Sequence, residues 1–550
     1  MNWIGNRKYP ESLPQEIEIP SLTLYDLLEH SAHRYPLRVA VIEREKELTY
    51  VELKTACERL ASALHQKGFC KGDRVAVMLP NCTEYIISYY AVQRLGGIIV
   101  QVNPMYQTAE LDYILQDSEA IWFISREDQR TKIDQINLKT PLNFISTNNK
   151  QNEEDNLYFL IKKGEKELPK LKIEPKEDLA VLQYTGGTTG KSKGVMLTHS
   201  NLFSNVYQDL SCTLNVLPHQ ESPERMLGLA PLFHVYGMAR MNCSIFSAST
   251  YIAVERFEIN EVINLIRKHR PTIFPGVPTM YVALLNHPDL TAEDLSCFKY
   301  CSSGSASLPI EILQRFDQKF NLPIFEGYGM TETSPTTHRN PVVGKRKQGS
   351  IGLPYPNTDA KIVDIEKGIT ELMPGEAGEL IIKGPQVMKG YWRKENETAA
   401  VIRHDWLYTG DIATMDEDGY FYIVGRKKDM IIASGYNVYP VEIEDIIYQH
   451  PAVKEVCVFG VPDFYRGETV KAAIVLKTDA SATEQELEEW CNLRLAKYKV
   501  PRLIEFRNKL PKSTVGKILR RTLVEEEEEK RKKQIRFSLK KGLQTSLCRL

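Results

Sequence analysis

Long apolar runs are missing from this sequence. Its most hydrophobic stretch, Tyr85 to Val102, is broken by Gln93, Arg94, Gly96 and Gly97, short of the roughly 18 consecutive apolar residues that a membrane-spanning helix needs. The opening segment MNWIGNRKYPESLPQEIEIP has neither an apolar core nor a small-residue cleavage site, so a secretory signal is not expected and the cytoplasm is the expected location. A surplus of one charge is missing too, since 70 Lys and Arg stand against 71 Asp and Glu. There is no electrostatic footprint for nucleic acid, and a small molecule is the expected partner. Paired cysteines are also lacking. Ten are scattered from Cys57 to Cys548 with one close pair, Cys297 and Cys301, and no second pair to complete a zinc site. Reduced, mostly buried thiols follow.

What is present is ordinary globular material, 42% hydrophobic and 26% charged over 550 residues, enough for several domains. Apolar spacing of three and four predicts helices around Leu24–Leu28 and Leu53–Leu64, with a strand at Val39–Ile42 between them. Strand Arg74–Leu79, helix Glu84–Leu95 and strand Ile98–Val102 continue the alternation, which resumes at Ala180–Gln183, Thr272–Pro275 and Tyr300–Ser303. Such alternation argues for α/β architecture with parallel sheets covered by helices on both faces. The charged stretch Asn148–Pro175 reads as a surface excursion.

From about 349 the texture turns to short strands, such as Ala360–Val363, Gly378–Lys383 and Tyr420–Val424, a β-rich subdomain. With it, 1–425 makes a large N-terminal domain, 426–430 a joint, and 431–524 a smaller α+β C-terminal domain, leaving 525–550 as a charged tail. In that tail five glutamates, Glu525–Glu529, precede Lys530-Arg531-Lys532-Lys533, a pattern that pairs along a solvated helix. Leu539, Leu543, Leu547 and Leu550 then recur beside Arg536, Lys540, Lys541 and Arg549. This is either an amphipathic segment touching a membrane surface, which would put the protein at the inner face of the membrane, or a disordered basic end.

The strongest local signal is Thr185-Gly186-Gly187-Thr188-Thr189-Gly190-Lys191, directly after the apolar strand Ala180–Gln183. Glycines let backbone approach an anion, hydroxyls and amides donate to its oxygens, and lysine offsets its charge. The loop suits a polyphosphate. It is not a Walker A loop, because Gly186 and Gly190 enclose three residues instead of four.

Together with Gly327-Tyr328-Gly329-Met330-Thr331-Glu332, Tyr408-Thr409-Gly410-Asp411, Gly425-Arg426-Lys427-Lys428-Asp429 and Pro511-Lys512-Ser513-Thr514-Val515-Gly516-Lys517, this loop resembles, in order and kind, the acyl-adenylate-forming (AMP-binding) enzymes. Within them the sequence looks like the bacterial long-chain fatty acyl-CoA ligases. The resemblance implies an N-terminal domain of two helix-flanked sheets plus a β-rich subdomain, hinged to a mobile C-terminal domain. It implies ATP, Mg²⁺ and coenzyme A, with a fatty acid converted to acyl-AMP and then to its CoA thioester.

By the same resemblance, Thr185 to Lys191 hold the β- and γ-phosphates and Tyr328, between Gly327 and Gly329, lies on the purine. Thr331 contacts the α-phosphate, Glu332 holds Mg²⁺, Asp411 takes the ribose hydroxyls, and Arg426 reaches ribose or phosphate. Lys428 is the hinge. Lys517 supports adenylation, and Ser434, Gly435 and Tyr436 line the CoA path after the domain turns. Taken alone, Tyr328 could be a core tyrosine, Thr409-Gly410-Asp411 an ordinary turn, and Lys517 a solvated lysine.

For the acyl pocket the matching segments carry His234, Val277, Gly304, Ser305 and Ala306. None of these segments holds a cation to mark a second charge, so an apolar medium- or long-chain acid is expected. His404-Asp405-Trp406 lacks a glycine usual in the fatty-acyl ligases, which leaves chain length open. The alternatives are an aryl or other acid–CoA ligase, a carrier-loading adenylation module and a catalytically silent adenylate-binding protein. Oligomeric state has no signature in the sequence.

Overall fold

The computed structural model describes residues 10, 13–147, 154–165, 168, 171–185, 192–213, 223–304, 306, 308–433, 436–463, 466–513 and 516–547, the last fourteen of these as backbone alone. Two large sheets dominate. One has seven strands in the order Gly390–Tyr391, Lys193–Thr198, Leu179–Thr185, Ile98–Gln101, Arg74–Met78, Trp122–Ser125 and Asn143–Ser146. The other has nine, in the order Leu353–Pro354, Thr336–Arg339, Ile324–Gly329, Tyr300–Ser303, Ile273–Gly276, Arg225–Gly228, Thr250–Ala253, Val39–Glu43 and Lys46–Thr49.

Alternate strand residues reach opposite faces of a sheet, and the burial pattern follows. Val75, Val77 and Ile99 of one sheet and Val41, Met226, Tyr251 and Ile273 of the other share a core with the helices Leu24–Arg34, Tyr50–Gln66, Thr83–Arg94, His199–Cys212 and Val235–Phe246. Their neighbours point outward: Ala76, Met78 and Val100 into one satellite core, Leu227, Ile252 and Phe274 into another. The central helices are thus sandwiched between the sheets. Local capping starts them, as where Thr23 and Asp26, or Thr49 and Glu52, bond reciprocally across the first turn.

The expected parallel order holds in both interiors, but both sheets become antiparallel at their edges. Lys193–Thr198 returns directly beside Leu179–Thr185 because a short connection permits only an antiparallel return. The expected surface excursion needs a second correction: part of it, Leu157–Lys163, is a helix burying Leu157 and Leu160 in the main core. Gly164 ends it so close to Arg59 that a methyl group there would stand 1.9 Å from that carbonyl oxygen.

Between 349 and 425 lies a five-stranded antiparallel sheet with its own core around Ile362, Leu380, Ile382 and Phe421. Two strands in that stretch, Leu353–Pro354 and Gly390–Tyr391, belong to the large sheets. The chain therefore stitches the β-rich unit to both of them. After Phe421–Arg426 a single turn, Lys427–Asp429, leads into a further five-stranded sheet backed by the helices Pro440–Tyr448 and Glu484–Asn492.

The last helix, Arg520–Leu547, runs unbroken through the expected 524/525 boundary. Its acids are not simply solvated: Glu527 pairs with Lys471 at 2.8 Å and Glu526 with Arg507 at 2.7 Å, which ties the helix to the sheet. The leucines from Leu539 onward lie outside the described side chains.

Candidate active site

Two adjacent antiparallel strands of the β-rich unit, Trp406–Met415 and Phe421–Arg426, place Asp411 directly opposite Arg426. Arg426 Nε lies 2.9 Å from one oxygen of the buried Asp411 carboxylate, and the Tyr328 hydroxyl donates to the other at 2.6 Å. Tyr328 is the penultimate residue of the strand Ile324–Gly329, so this triad joins a large sheet to the β-rich sheet. Asp411 raises the Arg426 pKa, while burial and the same carboxylate push the Tyr328 hydroxyl well above its ordinary range. Gly329 permits the next turn, since a methyl group there would stand 2.0 Å from Pro335 O.

That turn, Thr331–Thr333, carries Thr331 and Glu332. Glu332 Oε1 accepts a 2.8 Å bond from the Tyr391 hydroxyl, and Glu332 O accepts from Met388 N at 2.8 Å. Tyr391 lies on the edge strand paired with Lys193–Thr198, and the Lys193 amine sits 4.7 Å above its ring. Thr185 closes its strand with its carbonyl accepting from the Ser192 hydroxyl. Gly186, Gly187, Thr188, Thr189, Gly190 and Lys191, between these two ends, lie outside the described residues. No group of three or more His, Cys, Asp or Glu able to hold a metal exists among the described residues. A metal here would have one carboxylate from the protein, and Oε2 of Glu332 accepts no bond from any described residue. That suits Mg²⁺, which keeps waters and takes substrate phosphate oxygens.

The C-terminal unit reaches the same place. Its loop at Gly516 lies against the N-terminal unit so closely that a methyl group there would come 2.8 Å from Thr279 Oγ1. Ser513 N donates to Lys517 O at 2.8 Å and Lys517 N to Ser513 Oγ at 3.2 Å, which closes the loop. Lys517 is an exposed residue overall, but the protein crowding its amine, then the charge of Arg426, lowers it to about 8 against the pull of Asp411. His234 caps the helix Val235–Phe246, its Nδ1 accepting from Tyr236 N at 3.3 Å. Burial and then Lys517 lower its imidazole to about 4, so it is neutral near pH 7. Arg520, just beyond Lys517, is bound to Val458 O, Asp429 and Glu444 at 2.7–2.8 Å. Lys428 is exposed in the single turn between the two units.

Of the expected acyl residues, Val277 and Gly304 are buried, and Gly304 faces the Tyr236 ring. Ala306 is exposed and Ser305 lies outside the described residues. So do Ser434 and Gly435, whereas Tyr436 is 56% exposed and stacks on Tyr498 at 4.5 Å. The sequence reading missed Tyr391, whose partner is 59 positions away. It also missed a buried cluster in which Asp209 meets Arg240 and Arg339, at 2.8 and 2.9 Å. Burial would raise Asp209, but the two guanidiniums outweigh it and hold the carboxyl at about 2. The legible signal was Arg240 itself, one helical turn after Tyr236.

Residues 28–392 match the family model described as AMP-binding enzyme, and 442–517 match the AMP-binding enzyme C-terminal domain. The long-chain-fatty-acid–CoA ligase of Bacillus subtilis (strain 168) is 47% identical over 96% of this chain and 98% of its own. ATP-bound MatB from Rhodopseudomonas palustris superposes with a TM-score of 0.85 at 32% identity, over 92% of this chain and 99% of that one. The o-succinylbenzoate coenzyme A synthetase of Bacillus subtilis, solved with ATP and magnesium ion, does so with a TM-score of 0.78 at 31% identity, over 90% and 98% of the two chains.

Proposed function

The chain belongs to the AMP-binding enzyme family, and from that premise we propose that it is an ATP-dependent ligase joining a medium- or long-chain fatty acid to coenzyme A. The observation that carries the proposal is that the C-terminal loop at Gly516 and Lys517 packs against the N-terminal unit at Thr279, beside His234 and Asp411 of that unit and Arg426 at the start of the hinge.

In the first half-reaction a carboxylate oxygen of the acid attacks the α-phosphorus of ATP; the bond to the bridging oxygen breaks, and pyrophosphate leaves with its electron pair. The product is the acyl-adenylate. Tyr328 and Asp411 position the nucleoside, Thr331 and Arg426 take phosphate or ribose oxygens, and the loop from Thr185 to Lys191 holds the departing phosphates. Lys517 stands where negative charge accumulates, and its positive form offsets that charge. Glu332 would hold Mg²⁺, which when bound would supply charge neutralisation at the phosphates. Neutral His234 orients the acid without competing for its charge.

In the second half-reaction the CoA thiol gives up its proton to solvent, its sulfur attacks the acyl carbonyl carbon, the carbon–oxygen bond to phosphate breaks, and AMP leaves with that electron pair. Lys517 is not needed for this step. A single linking turn at Lys428 suits a C-terminal unit that rotates as a body, withdrawing Lys517 and bringing Ser434, Gly435 and Tyr436 to the thiol path. One site then serves both chemistries by exchanging what the C-terminal unit presents.

The domain limits that fit this mechanism are a nucleotide-binding unit to 425, a hinge at 426–430 and a mobile unit that includes the last helix. No helix among the described residues is long and apolar enough to cross a membrane. Contact with a membrane surface through the tail beyond Lys533 is the finer proposal. The test of the function is release of pyrophosphate and AMP with ATP, Mg²⁺ and CoA across a fatty-acid series with aromatic acids included. Turnover confined to aromatic acids would overturn the fatty-acid assignment.

A further inference from the structure

The linking turn Lys427–Asp429 is held at both ends, each end by a different unit. On the C-terminal side Arg520 Nη1 donates to Asp429 Oδ2 at 2.8 Å, and the same guanidinium donates to Glu444 Oε1 at 2.7 Å and to Val458 O at 2.8 Å. Arg520 opens the last helix, three residues beyond Lys517. Asp429 is therefore tied to the unit that carries Lys517. On the N-terminal side the Lys427 amine lies 2.9 Å from Glu379 Oε2. Lys428 stands between these two attachments and is exposed.

Glu379 belongs to the strand Gly378–Lys383, which has a neighbour on either side, and it is 5% exposed. A carboxylate so placed is costly unless its oxygens are bonded. Its second oxygen, Oε1, accepts from Gly410 N at 3.2 Å. The register of the sheet explains how Gly410 comes to be there. Glu379 faces Ile412 and Ile381 faces Tyr408, so Leu380 alone spans Thr409, Gly410 and Asp411, which bulge from the ladder. Gly410 takes a φ of +71°, and Thr409 Oγ1 ties the bulge down by donating to Leu380 O at 2.7 Å. This same bulge carries Asp411 to Arg426 and Tyr328. One buried carboxylate thus bonds the backbone of the nucleotide turn with one oxygen and the root of the linking turn with the other.

We propose that Glu379 is a positioning residue that couples the Gly410–Asp411 turn to the linking turn, fixing Lys427 to the N-terminal unit when nucleotide occupies the site and leaving Lys428 as the residue about which the C-terminal unit rotates. This rests on the adenylate-forming ligase reading and adds to it a control of the domain rotation. A nucleotide held by Asp411 orders the bulge, and the Gly410 N–H then keeps the Glu379 carboxylate in one orientation, with Oε2 toward Lys427. With Lys427 held on one side and Asp429 on the other, the free torsions are those around Lys428. A free segment that short gives the rotation defined end points instead of a continuous range. The Lys427 side chain is 42% exposed, so its ion pair with Glu379 is a modest one, suited to a contact that biases a moving element without locking it.

The test uses the full chain with and without ATP and Mg²⁺, and reads amide hydrogen exchange across 426–430 beside ATP affinity and the rate of pyrophosphate release. In the wild type ATP should slow exchange there by about 3- to 10-fold. Glu379→Gln keeps an acceptor for Gly410 N and loses the ion pair, so it should bind ATP within about twofold of wild type, lose the protection at 426–430 and lower the adenylation kcat by about 3- to 10-fold with KM for ATP little changed. Lys427→Met should do the same, Lys427→Arg should restore both readouts, and the double variant Glu379→Gln, Lys427→Met should be no worse than either single one. A merely structural role would move ATP affinity together with the rest and would give additive losses. If Glu379→Gln does not fold, the half-exposed Lys427→Met and its Arg counterpart decide. ATP binding without protection at 426–430 in the wild type, equal protection in wild type and both single variants, or additive losses overturns the proposal and leaves the ligase intact. If ATP binds but no acid releases pyrophosphate, the ligase reading fails, and the exchange comparison still decides the coupling. Absence of ATP binding overturns both.

Discussion

Lys517 is a cation whose usefulness depends on its proton. Crowding and then Arg426 lower it to about 8, so the positive form is complete well below that pH and is lost as pH rises through it. Adenylation kcat/KM should therefore fall above about pH 8, while thioester formation from supplied acyl-AMP should not share that limb; stopped-flow assays of the two half-reactions over a pH series check this. Lys517→Ala should lower adenylation by about 10²–10³-fold, the scale of losing one aligned transition-state charge. Equal loss in thioester formation would contradict the assigned role. Tyr391 is a positioning residue for Glu332. Removing one hydrogen bond is worth about 1 kcal/mol, so Tyr391→Phe should weaken the Mg²⁺ dependence of ATP binding by about 2- to 10-fold in calorimetric titrations, with metal-free ATP binding little changed.

Among the elements, the last helix departs furthest from its sequence pattern. Runs of Glu and Lys satisfy the rule for a solvated helix, and the pairs Arg521–Glu525 and Lys530–Glu527 do form. Yet Lys471, 10% exposed on its side chain, lies between Glu527 and Glu505. Which charges meet another element depends on which helix face Leu523 turns into the core. Lys471→Ala leaves those two carboxylates facing each other, and should cost roughly 1.5–3 kcal/mol of local stability. Faster amide hydrogen exchange over 521–530 would report it. Since Glu526 and Glu527 anchor the helix, a membrane test should end the chain after Lys533, not at Val524. Full-length protein is expected to associate with anionic vesicles more than that truncation, and identical partitioning in flotation would remove the membrane proposal.

At the scale of the molecule, much of the architecture was legible because it rests on local periodicity. Val39–Ile42, Arg74–Leu79 and Tyr300–Ser303 read as strands from short apolar runs and are strands. The phosphate-loop expectation rested on a different signal, glycines and hydroxyls crowded after the buried strand Leu179–Thr185. The sheet edges, the buried helix Leu157–Lys163 and the strands that stitch the β-rich unit to the large sheets were not legible. Each depends on a partner far away in sequence. The buried Asp209–Arg240–Arg339 cluster was missed for the same reason, since a charged residue on a helix reads as solvent-facing until the neighbouring layers bury it.

The sequence by itself determined the order of elements and which motifs could be proposed for nucleotide chemistry and for a hinge, because periodicity, turn chemistry and motif spacing act over a few residues. Only the tertiary structure decided that Asp411 faces both Arg426 and Tyr328, that Tyr391 holds Glu332, that Lys517 arrives from another unit, and that two arginines share one buried aspartate. The physical reason is range. Burial, charge balance and pKa are set by whatever packs within a few ångströms, and residues that close in space can lie more than a hundred positions apart in the chain.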